Sequence, residues 1–341
     1  MLNKLNNDQM KPFIIAEIGA KYGPISKIIK LITDIKKMGA DAVKFQTYKA
    51  KYLSDKKSTL PFKGKKIKQY NFFLKHQLTH NDHLLIIKAC KRLKLKWFST
   101  PAHFADVDYL EQFNPSIYKI GSDDLTNIPL IKYVAKKKKK MIISTGMSNF
   151  KDVENAVKAI EEEGNKKINI LHCVSNYPTE IKDVNLNVIK TFKKNFHYPI
   201  GLSDHTNNDL ASILATTMGA EIIEKHIIPS YKIKNWADAE SSLDVKDFSE
   251  MIFKIRNIKN AFGSEKRKVF ECEKKWKIKA HKSLYAAKFI KKGEIIRSSD
   301  ILIRRPKGKT KPADFYKIIN KKASTDIKQQ ANLSLKVVSK K

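Results

Sequence analysis

Residues 199–226 read PIGLSDHTNNDLASILATTMGAEIIEKH. Pro199–Leu202 and Glu221–His226 are short apolar runs of β type, and a helix-length amphipathic run lies between them near 207–218. A strand, a helix and a second strand in this span make one step of a parallel βαβ arrangement. Where the first strand gives way to the helix, four polar residues stand together: Ser203, Asp204, His205 and Thr206.

Outward from this segment the same step repeats. Further strands are read at Phe13–Ile18, Ala42–Gln46, Lys96–Ser99, Ile117–Ile120, Met141–Ser144 and Ile168–His172. Helix patterns fall near 25–38, 79–92, 103–112, 126–136, 150–163, 183–194 and 244–262. Eight βα units over about 250 residues are the content of a (β/α)8 TIM barrel. An open doubly wound sheet is the alternative, but no GxGxxG follows the first strand. Residues 47–78 form a long, lysine-rich connection between the second strand and the next helix, a length that points to a functional loop. The alternation ends near Phe262, so 1–262 is read as the barrel domain and the charged stretch 263–280 as a linker or partly helical arm. Residues 281–341 are read as a small β-rich domain with strand pieces SLYAAKFI, EIIRSSDILIRR and LSLKVV. A domain of that size buries little surface alone and gains from docking onto another surface.

The 341 residues include 68 Lys+Arg against 34 Asp+Glu, a net charge of +34. Such a surplus raises nucleic-acid binding, yet only six of the basic residues are arginine, and base-edge or phosphate readers use arginine forks as well as lysine. From 263 onward the surplus is +17, so half of it lies in the tail. No apolar run reaches the length of a membrane span, and Met1–Lys11 is polar, without the apolar segment of a signal peptide. Cys90, Cys173 and Cys272 are too scattered for a disulfide framework or a CxxC zinc site. A cytoplasmic protein acting on a small anion is the expectation.

In a barrel the chemistry sits where strands end at the C-terminal face. Here those ends carry Glu17; Lys44 and Gln46; Ser99 and Thr100; Lys119, Ser122 and Asp124; Ser144 and Thr145; His172, Ser175 and Tyr177; Ser203–Thr206; Glu224 and His226. A lone strand-end Ser or Thr commonly caps the next helix. Lys44 and Lys119 are different, because each interrupts an apolar strand (DAVKFQT, SIYKIGS) and should face the barrel interior. A buried ammonium requires an anionic partner, and two beside hydroxyl groups suit a phosphate or carboxylate. His205 and His226 fall on adjacent strand ends. They could hold one divalent ion, or serve as a hydrogen-bonded core histidine beside a general base.

The motifs AEIG (16–19), VKFQT (43–47), YKIGS (118–122), STGM (144–147), LHC with YPT (171–179), GLSDHT (201–206) and IEKH (223–226) together resemble the sialic acid synthases. These are the N-acetylneuraminate synthase family, with its legionaminate and pseudaminate branches. SLYAAKFIKKGEII and DILIRRPKG, in the tail, resemble that family's SAF (antifreeze-like) domain. The match runs in order over about residues 12–338.

The resemblance implies condensation of phosphoenolpyruvate with an amino-sugar aldehyde, N-acetylmannosamine or a 2,4-diacetamido-trideoxyhexose, to a nine-carbon 2-keto acid and phosphate. It implies a divalent metal, manganese foremost with magnesium or cobalt as substitutes, on His205 and His226. It implies phosphoenolpyruvate on Lys44, Lys119, Ser122, Thr145, Ser175 and Ser203, and catalytic roles for Glu17, Asp124, His205 and His226. Tyr177 and Asp238 match sugar contacts. Arg305 matches an arginine that reaches a partner's barrel in a domain-swapped homodimer. Departures cluster on the sugar side. Lys21 and Tyr22 replace Asn and His after the first strand, Ser175 replaces a frequent Asn, and Trp236, Ala237 and Ala239 flank Asp238 in place of Gly-Pro and His. Two alternatives stand behind this reading. One is a 3-deoxy-octulosonate or heptulosonate phosphate-type synthase, whose Lys-Pro-Arg tripeptide is missing here. The other is a catalytically weakened barrel that binds polyanions.

Overall fold

The structure is a computed structural model and describes residues 11–62, 65–233, 236 and 238–338. It divides into two compact units, 1–263 and 264–341.

Eight parallel strands close the first unit into a barrel: β1 (Phe13–Gly19), β2 (Ala42–Thr47), β3 (Lys96–Pro101), β4 (Ile117–Ile120), β5 (Lys140–Ser144), β6 (Ile168–Cys173), β7 (Ile200–Asp204) and β8 (Ile222–Ile228). Pairing of β8 with β1, from Phe13↔Ile222 to Glu17↔His226, completes the ring. Eight helices follow the strands in turn: α1 (Ile25–Met38), α2 (His80–Arg92), α3 (Phe104–Glu111), α4 (Ile128–Ala135), α5 (Phe150–Glu162), α6 (Asn187–Asn195), α7 (Leu210–Thr217) and α8 (Val245–Phe262). The TIM barrel read from the alternation is therefore present. Several strands run one or two residues past their sequence-read ends, and β7 starts after Pro199, which has no N–H to donate to a sheet.

The helices form because their apolar residues recur on one face. In α1 the buried side chains are Ile28, Leu31, Ile32 and Ile35, a helical stripe ended by Gly39 at φ 86°. Capping boxes start two others, Thr79 with Asp82 at α2 and Asn149 with Asp152 at α5. These stripes pack on the outward strand residues Ile14, Ala16, Val43, Phe45 and Ile143. Inside the barrel the alternate residues Ile15, Ala42, Phe98, Ile117, Ile142, Leu171 and Ile222 form a separate apolar floor. The long connection after β2 is structured, with a helix at Ala50–Leu53, an antiparallel hairpin of Thr59–Phe62 with Lys65–Lys68, and a helix at Gln69–His76.

The second unit has its own core, built on Leu284, Ile290, Ile296, Ile318, Ile327 and Leu333. Ser283–Ala286 pairs antiparallel with Ile301–Arg304. Residues 264–280 group with this unit, and Lys274–Ala280 is helical. The piece LSLKVV is not a strand. Ser334 accepts a hydrogen bond from the Lys336 N–H at 3.0 Å, which turns Leu335–Val337 into a 3-10 helix. Among the described residues no helix is long and apolar enough to cross a membrane.

Candidate active site

Two residues beyond each of the seven floor residues, and beyond Gly201 on β7, the strands present a second inward tier: Glu17, Lys44, Thr100, Lys119, Ser144, Cys173, Ser203 and Glu224. All eight line a cavity of about 310 Å³ at the C-terminal ends of the strands. Side chains alternate faces along a strand, so one change of residue class per strand converts an apolar floor into a polar chamber.

Its centre is a buried cluster of two lysines and two glutamates. Lys44 Nζ lies 3.1 Å from Glu224 Oε1 and 3.4 Å from Glu17 Oε2. Lys119 Nζ donates to Ser144 Oγ at 2.6 Å and to the Ile120 carbonyl at 3.1 Å, and stands 3.7 Å from Glu224 Oε1. The Ser203 hydroxyl donates to the same Glu224 oxygen at 3.0 Å. The two carboxyls are driven apart in acidity. Burial pushes Glu17 up, Lys44 counters only in part, and the neighbouring Glu224 adds to the rise. Burial opposes ionisation of Glu224 too, but Lys119 and Lys44 outweigh it and hold that carboxyl far below its usual range. One carboxyl is therefore a proton reservoir and the other a fixed anion, a division typical of acid–base sites. Glu224 Oε2, Thr100 Oγ1 and Ser175 Oγ are buried without a hydrogen-bond partner among the described residues, and all three residues line the cavity. Buried polar atoms left open in a chamber are suited to a polar ligand.

Beside this cluster Ser122, Gly146 and Ser175 form a tight cradle. The Gly146 N–H donates to Ser122 Oγ at 3.0 Å, and Ser122 donates to Cys173 Sγ at 3.4 Å. A Cβ on residue 146 would collide with the hydroxyls of Ser122 and Ser175, so only glycine lets the turn after β5 approach them. Asp124 lies on the same rim, accepts from Asn127 at 2.8 Å, and is pushed up to about 6 by burial.

The His205 and His226 rings are 5.4 Å apart. His205 Nδ1 bonds the Val174 carbonyl at 2.9 Å, so that nitrogen carries a proton, and only the neutral form of the ring offers an electron pair at Nε2. Burial, then the positive field of His205, holds His226 well below its usual value and neutral. At His205 burial acts the same way, but the bond to the Cys173 thiol outweighs it, so this ring holds a proton more readily. Asp238 Oδ2 lies 3.7 Å from His226 Nδ1, and the Tyr177 ring lies 4.2 Å from His205 at a 32° tilt. Two adjacent imidazoles with available electron pairs fit a divalent ion. Among the described residues no group of three His, Cys, Asp or Glu side chains is arranged to hold a metal ion, so a bound ion would rest on these two imidazoles.

The chamber thus gathers Glu17, Lys44, Lys119, Ser122, Asp124, Ser175, Tyr177, Ser203, His205 and His226. Asp238 touches its edge through His226. Thr145 stands apart. Its hydroxyl donates to the Leu171 carbonyl at 3.1 Å and it lines a neighbouring cavity, while Ser144 takes the inward position. Arg305 is exposed on the second unit. Of the sugar-side departures, Lys21 turns away to both oxygens of Asp82, at 2.9 and 2.8 Å. Tyr22 packs on His76 and on Trp236 and stands beside Asp238; burial, then the Asp238 charge, raises its phenol pKa. Trp236 is buried in the core, Ala239 packs against it, and Ala237 lies outside the described residues. Sequence reasoning left Ser144, Cys173 and Glu224 without a role, and the signal for each is its place two residues after a floor residue.

Residues 31–267 match the NeuB family. The chain is 35% identical to the pseudaminic acid synthase of Campylobacter jejuni, with 94% of this chain and 95% of that protein aligned. It is 34% identical to the N,N'-diacetyllegionaminic acid synthase of the same organism, over 94% and 98%. The solved N-acetylneuraminic acid synthetase of Leptospira borgpetersenii superimposes with a TM-score of 0.69 at 27% identity, covering 81% of this chain and 94% of that one. With the closed barrel and its polar tier, these matches show that the chain belongs to the NeuB family.

Proposed function

We propose that the chain is a sialic-acid-type synthase. It condenses phosphoenolpyruvate with an N-acetylated amino-sugar aldehyde, N-acetylmannosamine or a 2,4-diacetamido-trideoxyhexose, and releases phosphate. The observation that carries this reading is the buried Lys44–Glu224–Lys119 cluster beside the Ser122–Gly146–Ser175 cradle, a cationic and hydroxyl-lined chamber sized for a small multiply charged anion. The relatives named above favour this reading over an octulosonate- or heptulosonate-type synthase and over a polyanion-binding barrel.

In this account Lys44 and Lys119 hold the phosphate and carboxylate of phosphoenolpyruvate, with Ser122 and Ser175 as hydroxyl donors. The enol carbon attacks the sugar's aldehyde carbon, water adds to the cationic C2 centre, and the tetrahedral intermediate collapses to the ketone with cleavage of the C–O bond to phosphate. Glu17, kept protonated by burial, supplies a proton at the reacting centre, and ionised Glu224 holds both lysines in place. Asp124, raised toward neutrality, stands ready to take the proton of the attacking water. His205 and His226 would hold a divalent ion, manganese foremost with magnesium or cobalt as substitutes, which when bound polarises the aldehyde. Tyr177 and Asp238 line the acceptor's side. The second unit acts as the SAF domain, and Arg305 serves the partner's barrel in a domain-swapped homodimer.

The test is phosphate release from phosphoenolpyruvate with manganese and a panel of N-acetylmannosamine, 2,4-diacetamido-trideoxyhexoses and unsubstituted aldoses. Release only with an N-acetylated acceptor supports the proposal. No release with any acceptor, or equal release with arabinose 5-phosphate, rejects it.

A further inference from the structure

Strands β7 and β8 carry a second charged cluster on their outer face, one residue away from the chamber. Asp204 and Lys225 are register partners. Their side chains meet at 3.2 Å, and neither has any exposed surface. The chemistry above uses neither of them. Asp204 is fully engaged: Oδ1 accepts from the Thr206 N–H and hydroxyl, both at 2.8 Å, and Oδ2 accepts from Ser212 on α7 at 2.6 Å. Lys225 in turn donates to the Thr206 carbonyl. The residues on both sides of His205, and the residue before His226, are thereby tied to one buried ion pair.

Taking two charges out of water costs several kcal/mol, and well-packed apolar residues of similar volume commonly stabilise as well or better. An ion pair with directional bonds adds geometry instead. Successive residues on a strand face opposite ways, so fixing Asp204 against Lys225 on the outside fixes the backbone from which His205 and His226 project on the inside. The Thr206 bonds also fix the turn that follows β7, where His205 itself sits.

We propose that the Asp204–Lys225 ion pair, braced by Thr206 and Ser212, is a positioning element that holds the His205 and His226 imidazoles at the separation needed to share one divalent ion. The proposal rests on reading that pair of rings as the ion's site. Groups hydrogen-bonded to a metal ligand tune affinity by about 10–100-fold without touching the ion, and this pair reaches the same two ligands through their backbone.

The test uses the full-length chain. The double variant Asp204→Asn with Lys225→Met removes both charges at nearly constant volume, and the single variant Lys225→Arg keeps the pair with a different cation. Ser212→Ala removes a single brace should the double variant fail to fold. Manganese uptake is read from the loss of the free-ion electron paramagnetic resonance signal, and phosphoenolpyruvate binding by calorimetry without metal. The expected result is manganese affinity about 10–100-fold weaker in the double variant and about 3-fold weaker in Ser212→Ala. Lys225→Arg, which keeps the ion pair, should retain most of the wild-type manganese affinity, and phosphoenolpyruvate affinity should stay within about twofold throughout. Unchanged manganese affinity in folded variants overturns the proposal, and so does a parallel fall in both affinities, which marks the pair as a general structural support. Absence of manganese uptake by the wild type overturns the proposal together with the assignment of the ion to the two rings. Acceptor-dependent phosphate release, measured separately, stands or falls on its own.

Discussion

The floor of the barrel and the tier above it are made by the same strands two residues apart, yet they do opposite things. The floor, Ile15 to Ile222, is apolar and closed, and its side chains contribute by burial and packing alone. The tier, Glu17 to Glu224, is buried too, apart from the partly exposed Thr100, but holds two lysines, two carboxyl groups and open hydroxyls. The difference teaches where a barrel can accept unfavourable desolvation. A dry floor beneath the charged tier excludes water from below, which strengthens every electrostatic contact in the chamber.

Substitutions should separate the two layers cleanly. Phe98→Ala opens a cavity in the floor and should lower stability by about 3–5 kcal/mol in urea unfolding, while the folded fraction keeps its turnover number. Lys119→Met in the tier should do the reverse, reducing kcat/KM for phosphoenolpyruvate by about 10²–10³-fold with far-ultraviolet circular dichroism unchanged. If both variants lose activity and stability in proportion, the division of labour is wrong.

Glu17→Gln should reveal the tier through pH. The folded-state pKa of Glu17 is raised from 4.5 to about 8. Its contribution to stability is therefore complete below 4.5 and disappears as pH rises through about 8. The melting temperature of the wild type should fall relative to Glu17→Gln across that window, and parallel curves would remove the assignment. The smallest effect belongs to Lys21→Ala at the rim. Losing its partly buried bond to Asp82 should cost about 0.5–1 kcal/mol and leave the KM for phosphoenolpyruvate unaltered.

Much of this was legible before any fold was in view. Lys44 and Lys119 announce themselves because a charged residue inside an apolar strand has to face a polar interior. The eight-fold alternation, written in local periodicity, sets the barrel. What resisted reading depends on register or on distant contacts. Ser144 and Thr145 are adjacent hydroxyl residues at one strand end, and only the pairing of β5 with its neighbours decides that Ser144 points inward. Glu224 answers Lys44 because β8 closes on β1, which itself pairs with β2, a contact 180 residues long in sequence. Lys21, in the turn after β1, reads as a substrate-side change until its partner Asp82, on α2, comes into view. In the second unit the six residues of LSLKVV are too few to separate a strand's period from a turn's, and the Ser334 bond decides it.

The central claim is that the buried lysine–glutamate tier is an anion site for phosphoenolpyruvate. Calorimetric titration of phosphoenolpyruvate into the wild type and into Lys44→Met and Lys119→Met tests it most directly. Saturable one-site binding by the wild type, lost or weakened at least about 100-fold in both variants, is the result expected. Equal binding by all three proteins, or none by a folded wild type, would contradict it.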